Sequence, residues 1–351
     1  MTDTINIGII GCGRIAQVRH IPEYAANPNA KLVGFFDRDA ARAAECAAPY
    51  DGKTYHSWAE LLADPAIDAV SICVANVSHA EIAIAALQAG KHVLLEKPMA
   101  TTLADCEAVV AAADASGKLL MLGHNQRFAK AHELARKLLH EGAIGKLVTF
   151  RTTFGHGGPE TWSVDPGPNT WFFNPQMTTM GAVGDLGIHK TDLLHFLTGA
   201  RVVEAKATLA SNDKVDAQGN PIAVDDNAIA LYTLSNGAIG TMMASWSFHG
   251  IEDNTTILYG QQGIIEIYTN PDYQVQVIRP GQPMERYSVE AIQTNDNQTA
   301  SGVIDAFISA VLTGGPSPVS GAEALAAMRA VFACMESSRM GGTVAIPENR
   351  P

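Results

Sequence analysis

From residue 5 to residue 123 the chain repeats one pattern: a short apolar run, then a longer stretch that favours helix. The runs are INIGII (5–10), KLVGFF (31–36), AVSICV (69–74), HVLLE (92–96) and LLMLG (119–123). The first is β-branched, ends in glycine and is too short for a buried helix, so it reads as a strand covered on both faces. Helix is expected from Gly13 to Tyr24, and the segments DAARAAECAA, SHAEIAIAALQAG and TLADCEAVVAAADASG separate the later runs. Buried strands alternating with helices define a doubly wound α/β fold, a parallel sheet with helices on both faces.

The pattern stops near residue 124. After a helix expected around 131–141 come strands in close succession: LVTFRTTFG, VVEAKATLA, NAIALYTLS, AIGTMMASWSF, NTTILYG, GIIEIYT and YQVQVIR. Turn signals such as SNG (235–237) and GQQG (260–263) separate several of them, which points to an antiparallel meander. Helices at about 297–313 and 321–340 close the chain. The 351 residues therefore read as two domains. Residues 1–124 form the first, built on the doubly wound parallel sheet; 125–351 form an α+β domain with a large open, mostly antiparallel sheet. The longest irregular stretch is GHGGPETWSVDPGPN (155–169), and loops of that length in compact domains are often functional.

Charge and cysteine usage remove several classes. The formal net charge is -12, which gives no basic excess to meet a phosphate backbone, so nucleic acid is not an expected partner. Cys12, Cys46, Cys73, Cys106 and Cys334 are odd in number, scattered and without a CxxC spacing, which argues against disulfides and a cysteine zinc site. The start MTDTINIGIIGCG lacks the features of a secretory signal, and no apolar run reaches bilayer length. The expectation is a cytoplasmic protein with reduced thiols and no membrane partner.

Gly11-Cys12-Gly13-Arg14-Ile15-Ala16 fits G-x-G-x-x-G/A. Alone that spacing is weak and can be a bare glycine turn. Here it follows a strand and opens a helix, the context that gives it meaning. Gly11 permits the turn, Gly13 lets backbone approach a pyrophosphate, and Ala16 lets the helix pack close. Arg14 and Ile15 lie in the first helical turn, whose free N–H groups favour phosphate. Asp37 ends the second strand, where a carboxylate accepts from the adenosine ribose hydroxyls and repels a 2′-phosphate, which favours NAD. It can also be a plain N-cap. Arg38 beside it can accommodate that phosphate, so NADP stays open.

Two further groups carry proton chemistry. Glu96-Lys97-Pro98 ends the fifth run, and a lysine at the carboxyl end of a parallel strand stands where open α/β sheets bind ligands; a solvated strand-end lysine is the plain alternative. In Gly184-Asp185-Leu186-Gly187-Ile188-His189-Lys190-Thr191-Asp192, Asp185 and His189 are four apart and share a helix face. A carboxylate beside an imidazole orients it and stabilises its charged form. The pair can instead be an ordinary helix contact. A metal centre with His195 or His156 lacks any standard zinc spacing, so no metal is expected.

Together these segments resemble the glucose–fructose oxidoreductase / inositol dehydrogenase / rhizopine-catabolism family (Gfo/Idh/MocA), over nearly the whole length. The likeness rests on GIIGCGRIA, SICVANVSHAEIAIAALQAGKHVLLEKPMA, GHNQRF (123–128) and GAVGDLGIHKTDLLHFL (181–197). It implies that Lys97, Asp185 and His189 are catalytic, with His189 as general base, Asp185 orienting it and Lys97 stabilising the developing alkoxide. It places Glu96 near the nicotinamide ribose, with Asn76, His79 and Asn125 toward the cofactor and a Lys–Pro peptide that is often cis. Val74-Ala75 precede Asn76 where members often have Thr-Pro, so backbone geometry there departs from the pattern. Asn125, His156, Trp162 and Trp171 join Lys97, Asp185 and His189 as substrate candidates; the two tryptophans can equally anchor the loop, and His79 and His124 can be structural.

The implied activity is NAD(P)-dependent hydride transfer to or from a secondary alcohol or carbonyl of a polyol or sugar. The implied assembly is a homodimer or homotetramer through the C-terminal sheet. Two alternatives stay open: a non-catalytic dinucleotide or sugar sensor, and a reductase of a non-sugar carbonyl or dihydrodiol. Lys97, Asp185 and His189 together favour the enzyme, since a sensor has no need of that proton-handling set.

Overall fold

The computed structural model describes residues 4–290 and 300–347, which form two compact units. The first holds 4–125, 162–164 and 300–325; the second holds 126–161, 165–290 and 326–347.

The first unit is built on six parallel strands: β1 (Ile5–Ile10), β2 (Ala30–Phe36), β3 (Lys53–Thr54), β4 (Ala69–Ile72), β5 (His92–Leu95) and β6 (Leu120–Leu122), in the order β3-β2-β1-β4-β5-β6. The chain winds outward from β1 to one edge and then from β4 to the other. The carboxyl ends of β1 and β4 therefore flank the switch point, where ligands sit in such sheets. Ile7, Ile9, Ile10, Val70, Ile72, Val93, Leu94 and Leu95 are completely buried, as strands covered on both faces require. Burying each such side chain contributes roughly 1.5–3 kcal/mol before entropy is counted.

The first helix runs from Arg14 to Ala26, close to its expected span, but its middle is a π turn at Ala16–His20. Pro22 explains this. It has no N–H to donate inside a helix and its ring crowds the preceding turn. Widening that turn, so that Ile21 N–H bonds the Ala16 carbonyl, absorbs the misfit without ending the helix. Of the helix expected over 297–313, residues 297–299 lie outside the described residues, and the helix found is Val303–Thr313. It packs with the first unit: Asn27 Nδ2 donates to Asp305 Oδ1 at 2.7 Å, and Ser301 N–H to Glu23 Oε1 at 2.8 Å.

The second unit carries a nine-stranded sheet: β7 (Leu147–Gly155), β8 (Val202–Ala210), β9 (Asn227–Leu234), β10 (Ile239–Ser245), β11 (Thr256–Gly260), β12 (Ile264–Ile267), β13 (Val275–Ile278), β14 (Glu285–Tyr287) and β15 (Val344–Ala345). Their order is β14-β13-β12-β11-β7-β10-β9-β8-β15. Strands β8–β10 and β11–β14 are antiparallel meanders, as the turn signals predict. Between them lies β7, antiparallel to β11 but parallel to β10. The ten residues after β10 hold no tight hairpin turn, so that strand is not folded directly against β11.

Burial alternates along β9: Ala228, Ala230, Tyr232 and Leu234 face the core, while Ile229 and Leu231 are about half exposed at 54% and 49%. Helices cover the core face. Tyr232 OH meets Thr191 Oγ1 from helix Ile188–Thr198 at 3.0 Å and Cys334 Sγ from helix Gly321–Met340 at 3.3 Å. Among the described residues no helix is long and apolar enough to cross a membrane.

Candidate active site

In the first unit the turn after β1 needs its glycines for separate reasons. Gly11 has φ +91°, and a Cβ there would lie 2.6 Å from the Cys73 carbonyl oxygen at the end of β4. Gly13 faces open space: a Cβ would meet only that oxygen, at 4.0 Å. The backbone at Gly13 is therefore approachable, and the helix starts at the next residue. Arg14 and Ile15 are half-buried in its first turn.

Asp37 does more than end β2. Its Oδ2 accepts the Cys12 N–H at 2.8 Å, while Oδ1 accepts the Asp39 N–H at 2.9 Å and a weaker contact from Arg42 at 3.4 Å. Gln17 Nε2 bonds the Cys12 carbonyl at 2.9 Å and steadies the same loop. Arg38 is exposed; the guanidinium paired with Asp37 is Arg42, five residues along, a position that no local motif marks. An open glycine backbone, a helix start and a strand-end carboxylate suit an NAD-type dinucleotide. Asn125 Oδ1 adds a buried acceptor with no hydrogen-bond partner among the described residues.

Replacing Asp37 with alanine is expected to weaken NADH binding and raise the relative affinity for NADPH, both read by nucleotide fluorescence titration. An unchanged NADH/NADPH ratio means the ribose is read elsewhere.

Lys97 follows β5, half-buried, in a cis Lys97–Pro98 peptide of the kind the resemblance implies. Beneath it Glu96 is buried. One of its oxygens takes His20 Nε2 at 2.9 Å and Arg19 at 3.3 Å, and the other takes the Lys97 N–H at 3.1 Å. Burial alone would raise the Glu96 carboxyl. The His20 hydrogen bond and the charges of His20, Arg19 and Lys97 outweigh it and hold the group down to about 2. The chain of contacts continues from His20 Nδ1 to Ser71 Oγ (3.0 Å) and on to Tyr24 OH (2.9 Å). Gly123 leaves room for this carboxylate, since a Cβ there would stand 2.9 Å from Glu96 Oε1.

His79 sits with one ring nitrogen 2.7 Å from the Pro98 carbonyl and the other 3.0 Å from the Val74 carbonyl. It ties the Lys97–Pro98 turn to the loop after β4. Burial pulls its pKa below the ordinary value, against the two carbonyls. Asn76 and His124 are buried, and Trp162 is half-buried and groups with the first unit.

In the second unit Asp185 and His189 lie on one continuous helix, each 7% exposed. The segment opens as a π turn, Val183–Gly187, and continues as helix Ile188–Thr198. Glycines at 181, 184 and 187 let it lie flush on its neighbours. A Cβ at Gly181 would overlap the Asp225 carbonyl, one at Gly184 would overlap Met180, and one at Gly187 would press on Met242 at 3.3 Å. The helix start is anchored by Asp225. Its carboxylate accepts the Gly181 N–H at 2.8 Å and the Val183 N–H at 2.7 Å, and its carbonyl accepts the Ala182 N–H at 2.8 Å. Burial lifts the Asp225 carboxyl to about 6 although these N–H groups favour the anion.

Asp185 Oδ2 accepts the indole N–H of Trp246 at 3.0 Å. The His189 ring meets Phe154 edge-on at 5.8 Å, and His156 meets the same phenyl ring at 5.8 Å. Gly158 N–H donates to His156 Nδ1 at 3.0 Å, which leaves His156 Nε2 as the ring's N–H. Trp171 stacks on Phe172 at 3.9 Å, so one indole face is already covered. The irregular loop is tethered: Lys214 Nζ reaches Glu160 at 2.6 Å and the Gly157 carbonyl at 2.7 Å. Asp192 serves structure, gripped by Arg127 through two bonds of 2.7 and 2.6 Å, and His195 Nε2 accepts the Val202 N–H at 3.0 Å. Among the described residues no group of three or more His, Cys, Asp or Glu side chains can hold a metal ion.

A glycine turn of this geometry on a sheet of this order marks a dinucleotide-binding Rossmann unit. The chain belongs to the GFO/IDH/MocA family: residues 5–124 match "Oxidoreductase family, NAD-binding Rossmann fold", and residues 132–266 match the "GFO/IDH/MocA C-terminal domain". It is similar to levoglucosan dehydrogenase of Pseudarthrobacter phenanthrenivorans, 30% identical over 319 residues that cover 83% of this chain and 80% of that protein. It is also similar to scyllo-inositol 2-dehydrogenase (NADP(+)) IolW of Bacillus subtilis, 25% identical over 367 residues covering 97% and 96%. A solved levoglucosan dehydrogenase in complex with NADH and levoglucosan superimposes with a TM-score of 0.87 at 27% identity, covering 98% of this chain and all of that one.

Proposed function

We propose that the protein is an NAD-dependent dehydrogenase that oxidises a secondary alcohol of a sugar or polyol, with residues 1–124 holding the dinucleotide and 125–351 the substrate. The observation that carries this reading is that one chain keeps all three proton-handling groups, Lys97, Asp185 and His189, together with an NAD-type turn at Gly11–Ala16. The relatives named levoglucosan dehydrogenase and scyllo-inositol 2-dehydrogenase support the substrate class, and Asp37 at the end of β2 supports NAD over NADP.

Oxidising CH–OH requires that a proton leave the oxygen as hydride leaves the carbon. His189 takes the proton as general base. Asp185, one turn earlier on the same buried helix, orients the imidazole and stabilises its cation. Lys97 donates a hydrogen bond to the same oxygen and stabilises the negative charge that grows in the transition state, which is where rate is gained. Bound NAD supplies the hydride acceptor. His156, with its N–H at Nε2, and Trp171 serve as substrate contacts, and Asn125 faces cofactor and substrate. A purified sample assayed for NADH formation over anhydrosugars, hexoses, their acids and inositols is expected to turn over at least one of them. No turnover with any, despite NADH binding, favours the sensor.

We also propose that the open face of the second sheet is covered in a homo-oligomer. Ile229 and Leu231 on β9 stand beside Met243 and Thr241 of β10, with Ile239 52% exposed on the same face. Monomers rarely leave such apolar surface in water. Leu231→Glu is expected to shift the mass in light scattering toward the monomer; an unchanged mass places the interface elsewhere.

A further inference from the structure

The indole N–H of Trp246 is bonded to Oδ2 of Asp185, across 61 residues of chain. We infer that Trp246 is a positioning residue for the proton-handling helix: its N–H fixes the Asp185 carboxylate and sets how strongly that carboxylate supports the His189 cation. The inference rests on the assignment of Asp185 and His189 as the proton-handling pair.

Three observations carry it. First, Trp246 cannot move. It is wholly buried, its backbone N–H donates to the Asp226 carbonyl at 2.8 Å, and its ring lies 6.3 Å from Phe172 and 6.1 Å from Phe173. A donor held this way delivers its N–H to one point. Second, that point is Asp185 Oδ2, at 3.0 Å, in a region where both partners are buried. An ion-assisted bond there is stronger than one in water. Third, the acceptor's backbone is equally fixed. The helix start is bonded to Asp225, while Trp246 follows β10 and is bonded to the adjacent Asp226. One pair of aspartates thus sets the spacing between indole and carboxylate from both sides.

The consequence is electrostatic as well as geometric. With Oδ2 bonded to the indole, the carboxylate has one fixed rotamer and part of its charge is already satisfied. Without the N–H, Asp185 loses this anchor at Oδ2 and more of its charge acts on His189. The imidazolium is then more stable, so the base form is lost at a higher pH.

The test is Trp246→Phe, which keeps an aromatic ring and deletes the N–H. The expected result is kcat lower by about ten- to a hundredfold, little change in KM or NADH affinity, and an acid limb of the kcat–pH profile displaced to higher pH. Combined with Asp185→Ala, the change should add almost nothing, because its only route is through that carboxylate. Wild-type kcat and pH profile in Trp246→Phe overturn the inference. So does a loss of kcat that persists unchanged in the Asp185→Ala background, which marks a purely structural tryptophan. If the phenylalanine variant does not fold, Trp246→Met, which likewise carries no donor, is read by the same criteria. The two claims separate cleanly. Full turnover in His189→Asn sinks the catalytic reading itself, whereas a dead His189→Asn beside a silent Trp246→Phe sinks only the role of the indole.

Discussion

Lys97→Ala is expected to reduce kcat for the sugar or polyol substrate by about a thousandfold or more, with NADH affinity within about threefold of wild type. Removing one hydrogen-bond donor from a developing oxyanion typically costs about 10²–10³ in kcat, and loss of general acid–base help adds to it. The local fold should survive. What Glu96 grips at this position is the Lys97 main-chain N–H, at 3.1 Å, and alanine keeps it. The buried pairing of Glu96 with His20 and Arg19 lies one residue earlier, and His79 holds the Pro98 carbonyl one residue later. Steady-state kinetics with a fluorescence titration of NADH separate the two effects. Near-wild-type turnover removes the lysine from the mechanism.

The second large effect is expected at a residue with no chemistry of its own. Gly181→Ala should destabilise the protein by about 3 kcal/mol or more and abolish activity, because overpacking against rigid backbone has no cheap relief. The added methyl would occupy the place of the Asp225 carbonyl oxygen. That residue bonds three successive helix-start N–H groups, at Gly181, Ala182 and Val183. Backing away breaks those bonds, and Asp185 and His189 ride on the same helix. Gly342→Ala is the control, since nothing lies within 4 Å of the added methyl and its φ is not in the left-handed region; it should fall within about 0.5 kcal/mol of wild type. Urea unfolding of both variants decides the point. A Gly181→Ala protein as stable and active as the control contradicts this account of how the helix is held.

These residues show where local sequence carries information and where it stops. Gly11 is legible because its left-handed backbone lies against the end of β4 with no room for a Cβ, and the first five apolar runs are legible because strands covered on both faces are short and almost wholly apolar. β3 is invisible: Lys53 and Thr54 are exposed and pair with β2 over only two residues. The i, i+4 spacing of Asp185 and His189 placed them on one helix face. It could not reveal the π turn, which depends on packing around three glycines. The place of β7 between two meanders was equally hidden, since a parallel pairing leaves no turn signature. Trp246 and Asp225 reach the helix across 61 and 42 residues of chain. Nothing near either marks it as a partner. Arg19 and His20 read as ordinary helix positions, and only the fold shows that both bond the buried Glu96 carboxylate beneath Lys97.

The central claim is direct hydride transfer between a substrate carbon and the nicotinamide that this chain binds. The measurement that addresses it is a turnover with NAD and a substrate from the panel deuterated at the reacting carbon, followed by mass analysis of the NADH. The account predicts one deuterium in the reduced nucleotide and a slowed rate of the chemical step. Reduced nucleotide without label, with the deuterium released to water, contradicts it.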